Sequence, residues 1–484
     1  MRRKSLFILI AILLLGLFLR IYRISSNSLY GDELTIGYDS YSLLKTGMDQ
    51  TGERYPLTFK MGAGRPPGYV YFSMPFISLF GLNEVGVRSL SAISGLGIIV
   101  LMYFLGKKLF SEKIGLYASF LTSISMWDIY LSRGGFEAHF ALFLSLLGIV
   151  FFLYKKYIPM ALFWGLAIFT YPTYKLTLLL VFLALLLLYK SIKILRNKKF
   201  ILAIIILGVF ASFSLYETFN SVSDERFLSI NIFSDKNLKE HIIQNINEER
   251  TLSNLPEIIK PVMYNRPFRY SRLAFEKYIE NLSPSFLYLR GDGNPRHNPG
   301  EWGMFYLAEG LLFAIGLYLL IKGGETNLKP LVFWILIVPL ATMFLGQTHA
   351  LRNNFMIPPF ILIESYALSR VSKKTFYIIM SILLMQLVFV LLRVYFYAPY
   401  KFGSFWSSEA KYVSNIAIKE RDNYEKIILS SKIDSVEYAY PVYAKLDPNV
   451  VISEYGKFPK EYGNVVITDD LKGFKDDDKI LILE

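Results

Sequence analysis

The sequence predicts an α-helical protein that crosses a membrane many times and ends in a small α/β domain. Of its 484 residues, 53% are hydrophobic and only 19% are charged, whereas soluble domains carry about 25% charged residues. Apolar stretches close to helix length recur throughout residues 1–397, and the remainder alternates a helical pattern with short β-branched runs. Because the chain has no cysteine, a disulfide-stabilised scaffold is excluded.

The first apolar stretch, Leu6–Ile24, follows a basic start and is interrupted only near its end, by Arg20, Tyr22 and Arg23. A secretory signal has the same basic start and apolar core. Here, however, the run is long, and the Ser-Ser-Asn-Ser that follows it is a poor cleavage site. We therefore expect a retained membrane helix.

Ten further apolar stretches bring the predicted number of transmembrane helices to about eleven. Several are shorter than the ~20 residues that a helix needs to cross ~30 Å of hydrocarbon, so we expect some to be inner helices packed through small residues. The ten stretches are Val85–Leu105, Ile114–Trp127, Ala138–Tyr154, Tyr157–Thr170, Leu176–Tyr189, Phe200–Leu215, Met304–Ile321, Pro330–Leu345, Phe355–Leu368 and Thr375–Tyr397.

The distribution of positive charge predicts the orientation of these helices. With the N-terminus inside, the short inner loops carry 18 Lys and Arg residues, five of them in Lys190–Lys199, and the short outer turns carry three. Positive residues concentrate on the cytoplasmic side, so we predict a cell-membrane protein with a cytoplasmic N-terminus and an extracytoplasmic C-terminal domain. The net charge of +13 then mostly reflects the cations of the predicted cytoplasmic loops. This argues for membrane lipids and against nucleic acid as partners.

Three predicted outer segments are too long to be turns: residues 25–84, 216–303 and 398–484. Prolines break the second segment into short helices and loops. We expect residues 1–397 to form the membrane domain and residues 398–484 a small α/β domain outside it. In that domain the pattern predicts one helix and four strands, which are Ser407–Arg421, Lys426–Leu429, Val450–Ser453, Val465–Thr468 and Lys479–Leu483.

The first outer segment carries two adjacent carboxylates, Asp32 and Glu33, a few residues beyond the first apolar stretch. Carboxylates beside a bilayer are costly to desolvate, and this suits a general base. The same residues would also complement the dipole of a helix over Leu34–Lys45. Spacing alone leaves both interpretations open.

The same segment contains Arg65-Pro66-Pro67, directly before the aromatic stretch Tyr69–Phe76. The prolines keep the backbone extended, and the planar guanidinium suits a phosphate held at headgroup depth. The alternative is an arginine whose stem lies along apolar surface while its head stays in water.

Later outer turns carry further charges at the same predicted membrane face. Glu137 stands at the mouth of an apolar helix, where an ionisable residue is costly and therefore a functional candidate. Arg133, four residues earlier, offers it a structural ion pair instead. With Lys175, His349 and Arg352, these turns predict a site for an anionic, lipid-anchored substrate.

The sequence does not predict a set of metal ligands. Residues 290–298 resemble a fragment of a calcium loop, but the fixed spacing and the closing Glu are missing, so a turn cluster is favoured. The four histidines lack the spacing of metal ligands, and no HExxH, P-loop or GxSxG motif is present. No cofactor is therefore predicted, and dependence on a divalent metal remains open.

Taken together, these motifs resemble those of the GT-C fold glycosyltransferases, in particular the family of protein O-mannosyltransferases and lipid A aminoarabinose transferases. The resemblance rests on Asp32-Glu33, Arg65-Pro66-Pro67, the Arg133/Glu137 turn and Arg352 before Pro358-Pro359. It covers roughly residues 1–400 and is strongest before residue 180. It implies transfer of a hexose or pentose from a polyprenyl phosphate to a protein, lipid or glycan acceptor, with inversion at the anomeric carbon.

The resemblance also implies roles for the site residues. Asp32, with Glu33 beside it, matches the acid that acts as base on the acceptor hydroxyl, and Glu137 matches the second acid. Arg65 and Arg352 match residues that hold the lipid phosphate. Such groups suit the chemistry, because fixed guanidinium groups stabilise the leaving phosphate and a carboxylate on the other side of the sugar removes the acceptor's proton.

Two other classes of protein remain as alternatives. A polytopic transporter or lipid flippase would need charges near the midplane of the membrane and repeat symmetry between its halves. A membrane scaffold that displays the C-terminal domain would explain the topology but not the clustering of charges at the outer face.

Overall fold

The computed structural model describes residues 3–188, 194, 196–220, 231–471 and 479–484. Most of the predicted inner loop Lys190–Lys199 lies outside the described residues, and so do residues 221–230 of the second long outer segment. Within the described part, the chain is mainly helical and carries a four-stranded sheet near its C-terminus.

Each of the eleven predicted apolar stretches coincides with a helix or a pair of helices, which confirms the predicted fold class. Among the described residues, four helices are long and apolar enough to cross a membrane, namely Arg3–Ile21, Glu84–Leu109, Lys198–Glu217 and Lys373–Lys401. Met126–Ser132 and Glu137–Leu153 meet the same criterion as a pair bent by 116°. The remaining apolar helices of this set are Glu112–Ile124, Tyr157–Ile168, Thr173–Leu188, Leu307–Lys322, Leu328–Ile337 and Ile357–Arg370.

The helices Glu84–Leu109 and Glu112–Ile124 show how local sequence defines their ends. The Asn83 side chain accepts a hydrogen bond from the backbone N–H of Gly86, and the Ser111 hydroxyl accepts one from that of Ile114. Both are N-caps of a preferred type. The two helices pack closely where Gly106 meets Gly115, because a Cβ on Gly106 would lie 2.7 Å from the Gly115 Cα. Small residues therefore permit the close contact between helices that was expected.

The first outer segment adds two helices, Gly31–Thr46 and Gly68–Phe80. The first begins three residues earlier than predicted, so that Asp32 and Glu33 both lie in its first turn. Beyond them, the second long outer segment contains Lys236–Leu252 and Arg266–Asn281.

The C-terminal domain contains the four strands β1 (Lys426–Ser430), β2 (Lys460–Tyr462), β3 (Val465–Thr468) and β4 (Ile480–Leu483). The sheet order is β2-β3-β1-β4, with β1 parallel to both β3 and β4 and with β2 antiparallel to β3. The domain's two longer helices are Ser408–Glu420 and Val436–Tyr443.

One strand prediction in this domain is wrong. Val450–Ser453 lies in the helix Pro448–Ser453, because the helix start signals outweigh the β-branched residues. The Asp447 side chain accepts a hydrogen bond from the Asn449 N–H, and Pro448 occupies the first helical position, where proline is favoured. The short strand β2 was not predicted.

The C-terminal domain shares a hydrophobic core with the first outer segment. Leu34 and Tyr38 of the helix Gly31–Thr46 pack in one cluster with Val413 and Tyr440. The Tyr38 hydroxyl also donates a hydrogen bond of 2.9 Å to the Leu446 carbonyl. The helix that carries Asp32 and Glu33 is therefore held between the membrane helices and this domain.

Candidate active site

Arg65 connects the first outer segment to the start of the helix Glu137–Leu153. Its Nη2 lies 2.9 Å from Asp32 Oδ1, its Nε lies 2.8 Å from Glu137 Oε1, and its Nη1 donates to Thr35 Oγ1 at 2.9 Å. Arg65 is fully buried, whereas 45% of the Asp32 side chain is exposed. The structure thus brings two of the predicted site residues, Asp32 and Glu137, to the guanidinium of a third, Arg65.

A tight turn directs the Arg65 side chain to this position. Backbone hydrogen bonds in both directions join Arg65 to Phe59, and the chain between them reverses at Gly62 (φ 80°) and Ala63 (φ 54°). A Cβ at position 62 would lie 2.6 Å from the Arg65 Nη2. Only glycine therefore leaves room for the guanidinium at this point and also favours the left-handed backbone.

Asp39 is a third carboxyl near Arg65, and sequence reasoning missed it. It lies on the same side of the helix as Asp32 and Thr35, seven residues after the first and four after the second, and it is fully buried. Burial raises the pKa of Asp39 to about 7, against the opposing effects of hydrogen bonds from Gln50 and the charge of Arg65. The helical spacing from Asp32 was the signal that could have found it.

Glu33 belongs to a different ion pair, although it follows Asp32 directly. Its two carboxylate oxygens each lie 2.7 Å from a nitrogen of Arg88, and the Gly135 N–H donates to Oε1 at 2.7 Å. Arg88 also donates to three backbone carbonyls, those of Ile24, Asn27 and Ser28. Both side chains are buried, so Glu33 is enclosed by its partners.

Arg133 does not lie with Arg65 and does not pair with Glu137, so the alternative ion pair is not formed. Its guanidinium donates to the carbonyls of Arg20, Tyr22 and Arg23 and lies 4.7 Å from the ring centre of Tyr395. It therefore caps the C-terminal end of the first membrane helix, where cations are favoured.

Arg352 lies in the short helix Ala350–Asn353, and the residue after this helix contacts the helix that begins at Glu137. Two residues later, the Asn354 amide donates to the Ala138 carbonyl at 2.8 Å, and its oxygen accepts a hydrogen bond from Tyr174. The Arg352 side chain is half-buried. Within the described part of the chain, it makes no hydrogen bond or ion pair.

His349 meets residues from the second outer segment. Its ring centre lies 4.3 Å from that of His297, and the His297 Nδ1 lies 3.0 Å from Asp292 Oδ2. Burial alone would raise the pKa of Asp292. The hydrogen bond and charge of His297, together with the charge of His349 and the Ala350 N–H, lower it to about 2 instead.

Residues 290–298 form the turn cluster that was favoured, since the side chains of Asp292, Asn294 and Asn298 accept hydrogen bonds from nearby backbone N–H groups. Sequence spacing could not show that His297 and His349 meet, because 51 residues separate them in the chain.

A buried ionic group inside the membrane domain was also missed. Arg20 pairs with Asp128, whose other carboxylate oxygen lies 3.0 Å from the His139 Nε2, and all three are fully buried. Arg20 appeared in the sequence only as an interruption of an apolar stretch. An ionisable residue within a membrane helix was the available signal.

Two apolar cavities lie between helices of the membrane domain. One has a volume of about 370 Å³ and is lined by Pro67, Tyr71, Phe169 and Phe213 among others. Pro67 is two residues after Arg65 in the chain. The second, of about 350 Å³, has Lys175 in its wall. Both lie against the helices Tyr157–Ile168 and Lys198–Asn220.

Comparisons with known proteins identify the fold. Residues 64–216, which include Arg65 and Glu137, match the family described as dolichyl-phosphate-mannose-protein mannosyltransferase. ArnT from Cupriavidus metallidurans bound to undecaprenyl phosphate matches 92% of this chain over 85% of its own, with 12% identity and a TM-score of 0.57. The chain has the GT-C glycosyltransferase fold. It is a multi-pass membrane protein with this fold.

Further comparisons give the same fold. ArnT in the apo state matches 91% of this chain over 84% of its own, with 13% identity and a TM-score of 0.55. The archaeal oligosaccharyltransferase AglB from Archaeoglobus fulgidus, in complex with an inhibitory peptide and a dolichol-phosphate, matches 90% of the chain with 12% identity and a TM-score of 0.50. The protein described here spans 64% of the length of AglB. No match is found among curated protein sequences.

Proposed function

We propose that this membrane glycosyltransferase moves a sugar from a polyprenyl phosphate to an acceptor hydroxyl at the outer face of the membrane, with inversion at the anomeric carbon. One observation carries the proposal. A buried guanidinium, that of Arg65, holds a half-exposed carboxylate, that of Asp32, beside a second acid, Glu137. The acceptor is a protein, a lipid or a glycan.

The proposed donor rests on the apolar cavities. The cavity with Pro67 in its wall offers an isoprenoid chain an apolar place, and Pro67 lies two residues after Arg65 in the chain. Apolar area removed from water contributes about 25 cal/mol per Å². The ArnT and AglB structures that share the fold hold undecaprenyl phosphate and a dolichol-phosphate, respectively. A lipid-linked donor therefore fits this chain better than a nucleotide sugar.

Asp32 is the proposed base. Arg65 contacts its Oδ1, and nearly half of the side chain remains exposed, so that an acceptor hydroxyl can approach it. Proton transfer to a positioned carboxylate contributes about 10²–10⁴-fold to such a reaction. Glu137, less exposed and on the other side of Arg65, is the proposed second acid.

Arg352 is the proposed main contact of the lipid phosphate. Arg65 already faces two carboxylates and Thr35, so its charge is largely balanced before any substrate binds. Arg352 is half-buried and has no such partner among the described residues. A cation at this place stabilises the negative charge that develops on the leaving phosphate. Lys175, in the wall of the second cavity, is the proposed additional cation.

Glu33 and Arg133 have positioning roles in this proposal. Glu33 is enclosed by Arg88 and the Gly135 N–H, and Arg133 by three carbonyls of the first helix end. Neither has a side chain available to a sugar or a phosphate. They fix the outer end of the first membrane helix against the helix that begins with Gly31.

The test starts from the donor. Lipid-linked sugars that accumulate in a deletion strain, identified by mass spectrometry, give the donor for a transfer assay with the purified chain. Asp32→Asn should lower the rate at least 100-fold. The matched control is Glu53→Gln, because Glu53 lies in the same segment, is also 45% exposed and also pairs with a cation. Full activity of Asp32→Asn, or transfer from nucleotide sugars alone, would overturn the proposal.

A further inference from the structure

We propose that Asp292, His297 and His349 form a zinc site that joins the turn at residues 290–298 to the segment 349–354. These three residues are called the Asp292 cluster below. One potential ligand atom from each of them lies within 4.8 Å of the other two. Asp292 and His297 are buried and His349 is half-buried, so the cluster lies inside the fold and is not a patch of surface residues.

The ligand set selects the type of metal. Two imidazole nitrogens and one carboxylate oxygen suit zinc, whereas calcium and magnesium need six or more oxygens. With metal–ligand distances of about 2.0–2.1 Å, two ligands of a tetrahedral zinc ion lie about 3.3 Å apart. The His297 Nδ1 and Asp292 Oδ2 are 3.0 Å apart, close to the separation of two zinc ligands. The ligand atom of His349 lies within 4.8 Å of both, so this histidine would complete the set by moving towards the pair.

The surroundings hold the ligands in position. The Asp292 Oδ2 accepts a hydrogen bond of 2.7 Å from the Ala350 N–H, and its Oδ1 accepts one of 2.8 Å from the Asn294 N–H. The His297 ring packs edge-on against Phe136 at 5.6 Å. Outer contacts of this kind orient metal ligands and raise metal affinity.

A metal at this place would act on the neighbouring site without belonging to it. Phe136 directly precedes Glu137, and His349 lies three residues before Arg352. The ion would therefore fix the segment that carries Arg352 against the turn over the outer surface. This inference concerns a separate site, and its test uses no sugar donor, so that its outcome is independent of the proposed transfer reaction.

The experiment measures binding of zinc alone to the full-length chain in detergent. Protein stripped with chelator is dialysed against Zn²⁺, and bound metal is counted by mass spectrometry while affinity is read by competition with a chromophoric chelator. We expect one site per chain, weakened at least 100-fold in His297→Ala and in His349→Ala. The matched control is His241→Ala, because His241 is exposed and bonds only to Asn245 among the described residues.

Two further measurements separate the loss of a zinc ligand from a loss of folding and test the geometry of the site. His349→Gln preserves the size and polarity of the side chain, so it should lose zinc while its thermal unfolding without metal stays like that of the parent protein. Cobalt substitution should give the visible absorption of a tetrahedral ion, which both alanine variants lose. The inference is overturned if the parent chain binds no zinc, if the alanine variants bind it equally well, or if Mg²⁺ or Ca²⁺ fills the site in its place.

Discussion

Two arginine–carboxylate groups begin at neighbouring residues of one helix, yet they differ in almost every physical respect. Asp32 pairs with Arg65 and keeps 45% of its side chain exposed. Glu33 pairs with Arg88, and its side chain has no exposed surface. The first group can meet a substrate, whereas the second joins parts of the fold. Adjacent acids on a helix point about 100° apart, so one turn of helix can serve both purposes.

The two arginines also differ in the groups that their remaining N–H donors contact. Arg88 uses its other N–H groups on three backbone carbonyls and lies 5.3 Å from the ring centre of Trp406. Arg65 instead faces three side chains, those of Asp32, Thr35 and Glu137. Side chains can change partners when a ligand binds, whereas backbone carbonyls cannot do so unless the chain itself moves. For this reason the proposed chemistry is assigned to the Arg65 group.

The largest expected effect is a difference in protein stability between variants of the Glu33–Arg88 pair and of the Asp32–Arg65 pair. Glu33→Gln leaves Arg88 buried without a counter-charge, which should cost about 3–5 kcal/mol and lower the midpoint of thermal unfolding in detergent. Asp32→Asn should change stability by less than about 1 kcal/mol, because its pair is partly exposed. If both variants unfold at the same temperature, the distinction between the groups fails.

The next effect concerns the two cations predicted together from outer turns. Arg352→Gln should raise the KM for the lipid donor at least tenfold, since a charge-assisted hydrogen bond contributes about 1.5–3 kcal/mol, and should leave thermal unfolding nearly unchanged. Arg133→Gln should lower thermal stability, because it uncaps the first helix. An equal rise of KM in both variants at unchanged stability would contradict these assignments.

The Arg65 group should also give the protein a pH dependence. Burial raises the pKa of Asp39 in the folded protein to about 7, from 3.8 in its absence. Between these values the folded state binds more protons than the unfolded one, so stability should fall as pH rises from about 4 to about 7. Asp39→Asn should remove this slope from the thermal unfolding midpoints. A slope that persists in full would assign the titration to another group.

The smallest effect concerns the C-terminal domain, which packs against the helix that carries Asp32 and Glu33. Lys411 of the C-terminal domain pairs with Glu84 at 2.7 Å, and the pair is partly exposed. Lys411→Met should therefore lower stability by only about 0.5–1 kcal/mol and should leave both ion-pair groups and the transfer rate intact. A large loss of activity would mean that the position of the domain acts on Asp32 more strongly than this comparison allows.

The sequence was sufficient for most of the fold. The helix over Glu84–Leu109 and the strand β3 could be predicted because hydrophobicity and β-branching are properties of consecutive residues. The prediction was wrong at Val450–Ser453, where Asp447 and Pro448 started a helix instead. Boundaries and short elements depend on such local competitions, which composition alone does not resolve.

The candidate site could be predicted only in part. Asp32, Arg65 and Glu137 were found because charges at the mouths of apolar helices are costly. Asp39 was missed, and the Asp292 cluster could not be assembled, because its histidines come from distant segments. Arg133 and Glu33 had the right residue types but proved to be enclosed by backbone groups and by Arg88.

By itself, the sequence determined that this chain is a helical membrane protein with charged residues in the segments between its apolar helices. These features follow from the free energy of transfer of each segment between water and lipid, which adds up along the chain. Only the tertiary structure decided which acid meets which arginine and which of these pairs remains open to a ligand. An ion pair is defined by two side chains and by what excludes water from them, and both depend on segments that lie far apart in the sequence.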